Sequence, residues 1–268
     1  MSNKAGNRYF NRKFHVIFPS SCNLAFYISM WAICKKELRQ FFSSLTGYIA
    51  IIVFLLLNGL FLFVFPDSNL FDSGYATLDT FFEIAPWVLL LLIPAITMRS
   101  FSEEFKGGTF EILQTKPLTH FQVIMGKYFA SIIVVLIAIL PTLIYVYTIS
   151  SLSTGGIDKG GIAGSYVGLF LLASVFVAIG ICCSSFTQNA VVAFLLSAFA
   201  CFAVYSAFSA ISRIPALQSG ADYYIGMLGI DEHYKSISRG VLDSRDLLYF
   251  LTVVFFFLFV TARNLVKR

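Results

Sequence analysis

The sequence predicts an all-α integral membrane protein with six transmembrane helices and cytoplasmic N and C termini. Three observations carry that expectation. Of 268 residues, 58% are apolar and 12% charged, against roughly 45–50% and about 25% in soluble domains. So little polar surface cannot cover a water-soluble globule, and disorder would need low hydrophobicity instead. Six apolar runs approach the length of about 20 residues that a helix needs to cross a ~30 Å hydrocarbon core. Lys and Arg divide fourteen to five between the two sides those runs define, the larger share on the side of both termini. The positive-inside rule assigns that side to the cytoplasm.

Residues 1–29 begin basic (Lys4, Arg8, Arg12, Lys13) and turn half-apolar, with Pro19, Ser20 and Ser21 interrupting the run. No unbroken apolar stretch or small-residue cleavage site supports a signal peptide. Pro-Ser-Ser is also a poor lead-in for a lipidated Cys22. A poorly ordered extension is expected here, with Met30 as the natural start. Residues 30–44 read as an amphipathic helix lying in the membrane interface. Trp31, Cys34, Leu38, Phe41 and Phe42 share one side, and Lys35, Lys36, Glu37 and Arg39 lie mainly on the other. It suits a plain anchor in membrane lipid or a lever that meets a cytoplasmic partner.

Span 1 covers residues 48–65. Span 2 covers 82–98, broken by Pro86 and Pro94, and span 3 covers 128–149 with Pro141 inside it. Such prolines are tolerated where neighbouring helices satisfy the freed carbonyls. Spans 4 and 5 cover 166–183 and 190–211. Span 6, at 247–262, has only 16 residues and should extend into its polar flanks. No Asp, Glu, Lys or Arg sits at core depth, so an ion-driven pump has no relay to use. Asn58, Ser174, Ser197, Ser206 and Ser209 are the remaining polar points, most simply read as helix–helix hydrogen bonds. Asn58, Ser197 and Ser206 are the candidates for a transport pathway.

The connection at 99–128 carries structure of its own. Gly107-Gly108 permits a sharp turn, and Thr109 can cap a short helix bearing Phe110, Glu111, Ile112 and Leu113. Pro117 stops it. Thr119-His120-Phe121-Gln122 is a capping box that would start the helix into span 3. Two capped helices are more than a connection requires. Outside, the Gly-rich stretch 155–164 reads as a flexible turn. The mixed-charge segment 212–246, with a short helix expected over 225–237, reads as a solvated cap, an outer gate or a site for an auxiliary subunit.

The connection resembles the signature of ABC-2 type transporter permeases: Glu103-Glu104, Gly108-Thr109, Phe110-Glu111-Ile112-Leu113, then Pro117 and Thr119. The stretch from Trp31 resembles that family's interfacial helix, and residues 30–268 follow its six-span layout as one transmembrane domain. Within the family the chain is most similar to the gliding-motility-associated permease subunits of Bacteroidota. The resemblance implies a non-catalytic, multi-pass permease of the inner membrane. It implies two cytoplasmic ATP-binding subunits and a second permease copy or homologue as partners, with an auxiliary motility subunit beside them. It also implies that 103–118 is a coupling helix seated in the ATPase. Glu103 and Glu104 would orient the dock, Phe110 and Leu113 would fill an apolar socket, and Gly107 and Gly108 would allow close approach. ATP-driven closure would then push this knob and the interfacial helix bearing Trp31, Lys35, Lys36 and Arg39.

Other chemistry lacks its residues. There is no GxxxxGK[ST] to hold ATP in this chain, no HExxH and no GxSxG, so no cofactor is expected. His15, His120 and His233 are too dispersed for a metal site. Five cysteines without a CxxC pair read as buried thiols. The scattered basic residues give no nucleic-acid signal. The competing reading is a six-span scaffold of a motility or secretion complex that transports nothing.

Overall fold

The computed structural model describes residues 19–65, 78–115, 118–153, 158–212, 226–240 and 243–267, with backbone alone at 19–29, 114 and 152. Every regular element among them is helical. Helix α1 runs Pro19–Ser43, α2 Leu45–Phe63, α3 Asp79–Thr97, α4 Arg99–Lys106 and α5 Thr109–Gln114. Helix α6 (His120–Ile139) passes through a 3₁₀ turn, Leu140–Thr142, into α7 (Leu143–Leu152). Then follow α8 (Lys159–Phe186), α9 (Ala190–Ser212), α10 (Ile230–Ser238) and α11 (Ser244–Lys267).

Six helical stretches are long and apolar enough to cross a membrane: Leu45–Phe63, Asp79–Lys106, His120–Ser151, Lys159–Phe186, Ala190–Ser212 and Ser244–Lys267. Each overlaps an expected span, and the sixth extends at both ends. The prolines act unequally. Pro86 leaves α3 intact, α3 ends shortly after Pro94, and Pro141 sits in the 3₁₀ turn. The interfacial helix starts at Pro19 instead of residue 30, so 19–29 is helical where a poorly ordered extension was expected. Proline suits a first turn, where its missing N–H would have no partner anyway, and Leu24, Ala25 and Phe26 favour continuation. Residues 1–18 lie outside the described residues.

Helix α8 is the axis of the bundle. In its most apolar stretch 83% of residues are buried, against 22% for α2, α9 and α11. It packs on α3, α4, α6, α9, α10 and α11. Its second half, from Leu172 to Ser185, is rich in small side chains, with Ala173, Ala178, Gly180, Cys182, Cys183, Ser184 and Ser185 all inside. Small side chains let helices approach closely where lipid supplies no hydrophobic drive.

The end of the bundle that carries residue 158 is built rather than loose. Asp158 caps α8 by accepting from the N–H groups of Gly160 and Gly161 at 3.0 Å each, so 159–164 is helix, not a flexible turn. Residues 154–157 lie outside the described residues. A Cβ on Gly164 would come within 3.1 Å of Gly240 Cα, and one on Gly240 within 2.8 Å of Gly161 Cα, so these glycines make room for backbone contact. Helix α10 buries Ile230, Tyr234 and Ile237 against the bundle, and Tyr234 donates to the Phe82 carbonyl at 2.7 Å. His233 stacks on Tyr249 and holds Asp246 at 2.7 Å. The described part of 212–246 is therefore a docked plug, not a solvated cap.

Candidate functional site

Helices α4 and α5 form an elbow. Gly107 closes α4, and Gly108 adopts φ +66°, a left-handed conformation that costs other residues roughly 1–2 kcal/mol. The reversal lets α5 fold back. Thr109 is the first helical residue rather than the cap, because Gly108 takes the cap position; its hydroxyl donates to the Glu104 carbonyl at 3.4 Å. Phe110 turns into the chain's own core, edge-on to Phe105 with centroids 5.0 Å apart. The exposed apolar residue is Ile112, beside exposed Glu111, while Leu113 is half-buried. Pro117 lies outside the described residues. The capping box forms as expected: Gln122 N–H donates to Thr119 Oγ1 at 3.3 Å, and Thr119 N–H donates to Gln122 Oε1 at 2.8 Å.

The two adjacent glutamates part company. Glu103 is half-exposed and pairs with Arg99 at 3.1 Å. Glu104 points inward, where Lys36 lies 2.8 Å away and Lys127 3.1 Å away. Lys127 also holds Glu37 at 2.9 Å, donates to the Ser100 carbonyl, and stands 4.9 Å from the Phe101 ring centre. Lys36 closes the ring to Glu37 at 3.6 Å. Two cations and two anions thus alternate, joining α1, α4 and α6. Lys127 is 1% exposed, and its three N–H bonds match three acceptors, the condition for burying a charge. Burial alone would lower the Lys36 ammonium, but Glu104 and then Glu37 hold it above its usual 10.5.

Helix α1 reaches this cluster by lying directly on α6. A Cβ on Gly126 would sit 2.9 Å from Ile33, so only glycine permits that contact. Ile33 and Cys34 are buried there, and burial, with Glu37 adding, raises the Cys34 thiol. Trp31, Lys35 and Arg39 form an exposed stripe instead, so Trp31 leaves the apolar face expected for it. The face against α6 is protein-covered rather than dissolved in acyl chains.

A family model described as "ABC-2 family transporter protein" matches residues 31–241. The chain belongs to the ABC-2 family of transporter proteins. It is the membrane permease component of an ABC transporter, a multi-pass membrane protein of a family that pairs with a cytoplasmic ABC ATPase. The match begins at Trp31 inside α1 and stops before α11, a shorter reach than the resemblance over 30–268. No curated protein matches the chain significantly.

In the permease, Ser184 of α8 is a second junction that the sequence did not reveal. Its hydroxyl accepts from the N–H groups of Phe101 and Ser102, at 3.0 and 3.2 Å, and donates to the Met98 carbonyl at 3.1 Å. It replaces the ladder bonds lost where α3 passes into α4. Lys127, Glu37 and Ile112 were missed too. The available signal for Lys127 was a lone lysine beside Gly126 in an apolar helical run. The pathway candidates are scattered: Asn58 donates to Phe54, Ser197 to Phe194 and Ser206 to Phe202, each to a carbonyl of its own helix.

Proposed function

We propose that this permease couples ATP hydrolysis by its partner ATPase to export or translocation across the inner membrane, in an assembly associated with gliding motility. The elbow faces the cytoplasm in this reading, as the uneven distribution of Lys and Arg requires. Its docking tip is Gly107, Gly108, Thr109, Glu111 and Ile112, the exposed part of the turn. The observation that supports coupling is the alternating ion cluster. A push on the elbow is carried through Glu104 to Lys127 and Glu37, so α4, α1 and α6 move as one body. ATP stays in the partner, and two permease copies or homologues complete the pore. The motility association rests on the sequence resemblance.

The test is co-expression with its partner ABC ATPase. Glu111→Lys and Ile112→Asp should keep the permease folded in the membrane and abolish its stimulation of ATPase activity. Full stimulation by both variants would remove the elbow from the dock. ATP-dependent flux in vesicles separates a transporter from a scaffold, which would show none. Loss of colony spreading on deletion tests the motility association.

A further inference from the structure

A cavity of about 390 Å³ opens between α1, α2, α3 and α6, at the same end of the bundle as the elbow. That volume falls within the usual range of small-molecule sites, roughly 300–1,000 Å³. Its body is apolar, walled by Ile49, Val53 and Leu57 of α2, Leu91 and Ala95 of α3, and Val134 of α6. Its rim is polar: Gln40, Thr46, Arg99, Ser100 and Glu103. Ile49, Val53 and Leu91 remain about half exposed, so the body opens sideways toward the bilayer.

We propose that this cavity binds one acyl chain of an ethanolamine phospholipid, with the headgroup held at the Arg99–Glu103 rim. Length supports the chain. From Thr46 at the rim to Leu57 at the far wall, α2 rises about 16 Å at 1.5 Å per residue, close to half of a ~30 Å hydrocarbon core. That is the depth of one leaflet. Charge supports the headgroup. Arg99 and Glu103 form a surface pair of opposite signs, matching a phosphate beside an ammonium. Arg99 spends one bond on Glu103 and a long one of 3.4 Å on Thr46, leaving guanidinium donors for phosphate oxygens. Ser100 lines the cavity with its hydroxyl buried in the wall, so the headgroup contacts fall to Arg99 and Glu103. Glu103 is balanced by Arg99, and Glu37 by Lys36 and Lys127, so the rim carries no net charge to draw an anionic headgroup.

The leaflet, cytoplasmic, follows from the proposed orientation; the site itself does not depend on ATPase docking. The experiment uses the purified full chain with phosphatidylethanolamine carrying a photoreactive acyl chain. Adducts should concentrate at 49–57 and 88–96. Ala95→Trp, which fills the cavity, should cut them at least fivefold, while Leu195→Trp on the exposed face of α9 should not. Native mass spectrometry should show ethanolamine lipid retained over phosphatidylglycerol, with Arg99→Gln erasing the preference. Adducts spread evenly onto α9, equal retention of both lipids by the wild-type chain, or a folded Ala95→Trp with unchanged yield would overturn the proposal. These readouts need no ATPase, so they fail or succeed apart from the coupling reading.

Discussion

Lys127 shows how much one side chain can organise. It is buried, and it satisfies two carboxylates from different helices together with a carbonyl. Removing one partner from such a cluster strands the others' charge, which typically costs about 3–5 kcal/mol. Lys127→Met should therefore lower thermal stability in detergent by that order, leaving Glu37 and Glu104 facing each other. Adding Glu104→Met should recover most of the loss, because the Lys36–Glu37 pair then remains balanced; a double-variant cycle measures it. Lys36 has the opposite weakness. Its pKa is raised above 10.5, so its contribution is complete below that pH and is lost only as pH rises through the raised value. Spin labels on α1 and α4 should accordingly report an unchanged distance from pH 6 to 9. The sequence did not reveal this cluster because Glu37, Glu104 and Lys127 are far apart along the chain. Glu37 and Lys127 looked like ordinary surface charges, and Glu104 was expected to face the partner ATPase rather than Lys36 and Lys127.

At the scale of the element, local chemistry was legible wherever it was encoded in adjacent residues. The Thr119–Gln122 box and the turn at Gly107-Gly108 are both where the sequence put them. The cap at Thr109 was misread because a left-handed glycine can occupy the cap position itself, which residue type alone does not reveal. Gly108→Ala should weaken the elbow by about 1 kcal/mol, seen as faster hydrogen exchange across 107–114. Ser184→Ala goes further. It takes the shared acceptor from the Phe101 and Ser102 N–H groups, while the Met98 carbonyl keeps the Ser102 hydroxyl as a donor, a cost of about 1–3 kcal/mol for a buried orphan group. It should loosen α4 while α8 keeps its exchange protection. The docked α10 was only half legible, since its burial depends on Phe82 and Asp246 from distant parts of the chain.

For the whole molecule, the apolar composition and its runs predicted a six-span helical bundle, and six helices of that kind are present among the described residues. Which span forms the axis did not follow from them, because six runs of similar hydrophobicity do not distinguish a lipid neighbour from a protein neighbour. The usable sign was residue size: α8 carries the Ala, Gly, Cys and Ser that let helices pack closely. Overfilling there should be felt throughout, so Ala178→Leu is expected to destabilise the bundle by about 1–3 kcal/mol. Cys34, Cys182, Cys183 and Cys201 are all buried and free. A membrane-permeant maleimide should leave them unmodified in the native permease and label all four after denaturation, as read by peptide mass. Half-exposed apolar faces on α2, α9 and α11 are left for lipid or a second permease.

The hydroxyl of Ser184 also bears on how fast the elbow can move. Tilting α4 away from α8 means exchanging three hydrogen bonds at one oxygen. Breaking such bonds carries enthalpy. The conformational step should therefore have a high activation enthalpy. Transport would slow steeply on cooling for a reason lodged in the permease rather than in the fluidity of the surrounding lipid.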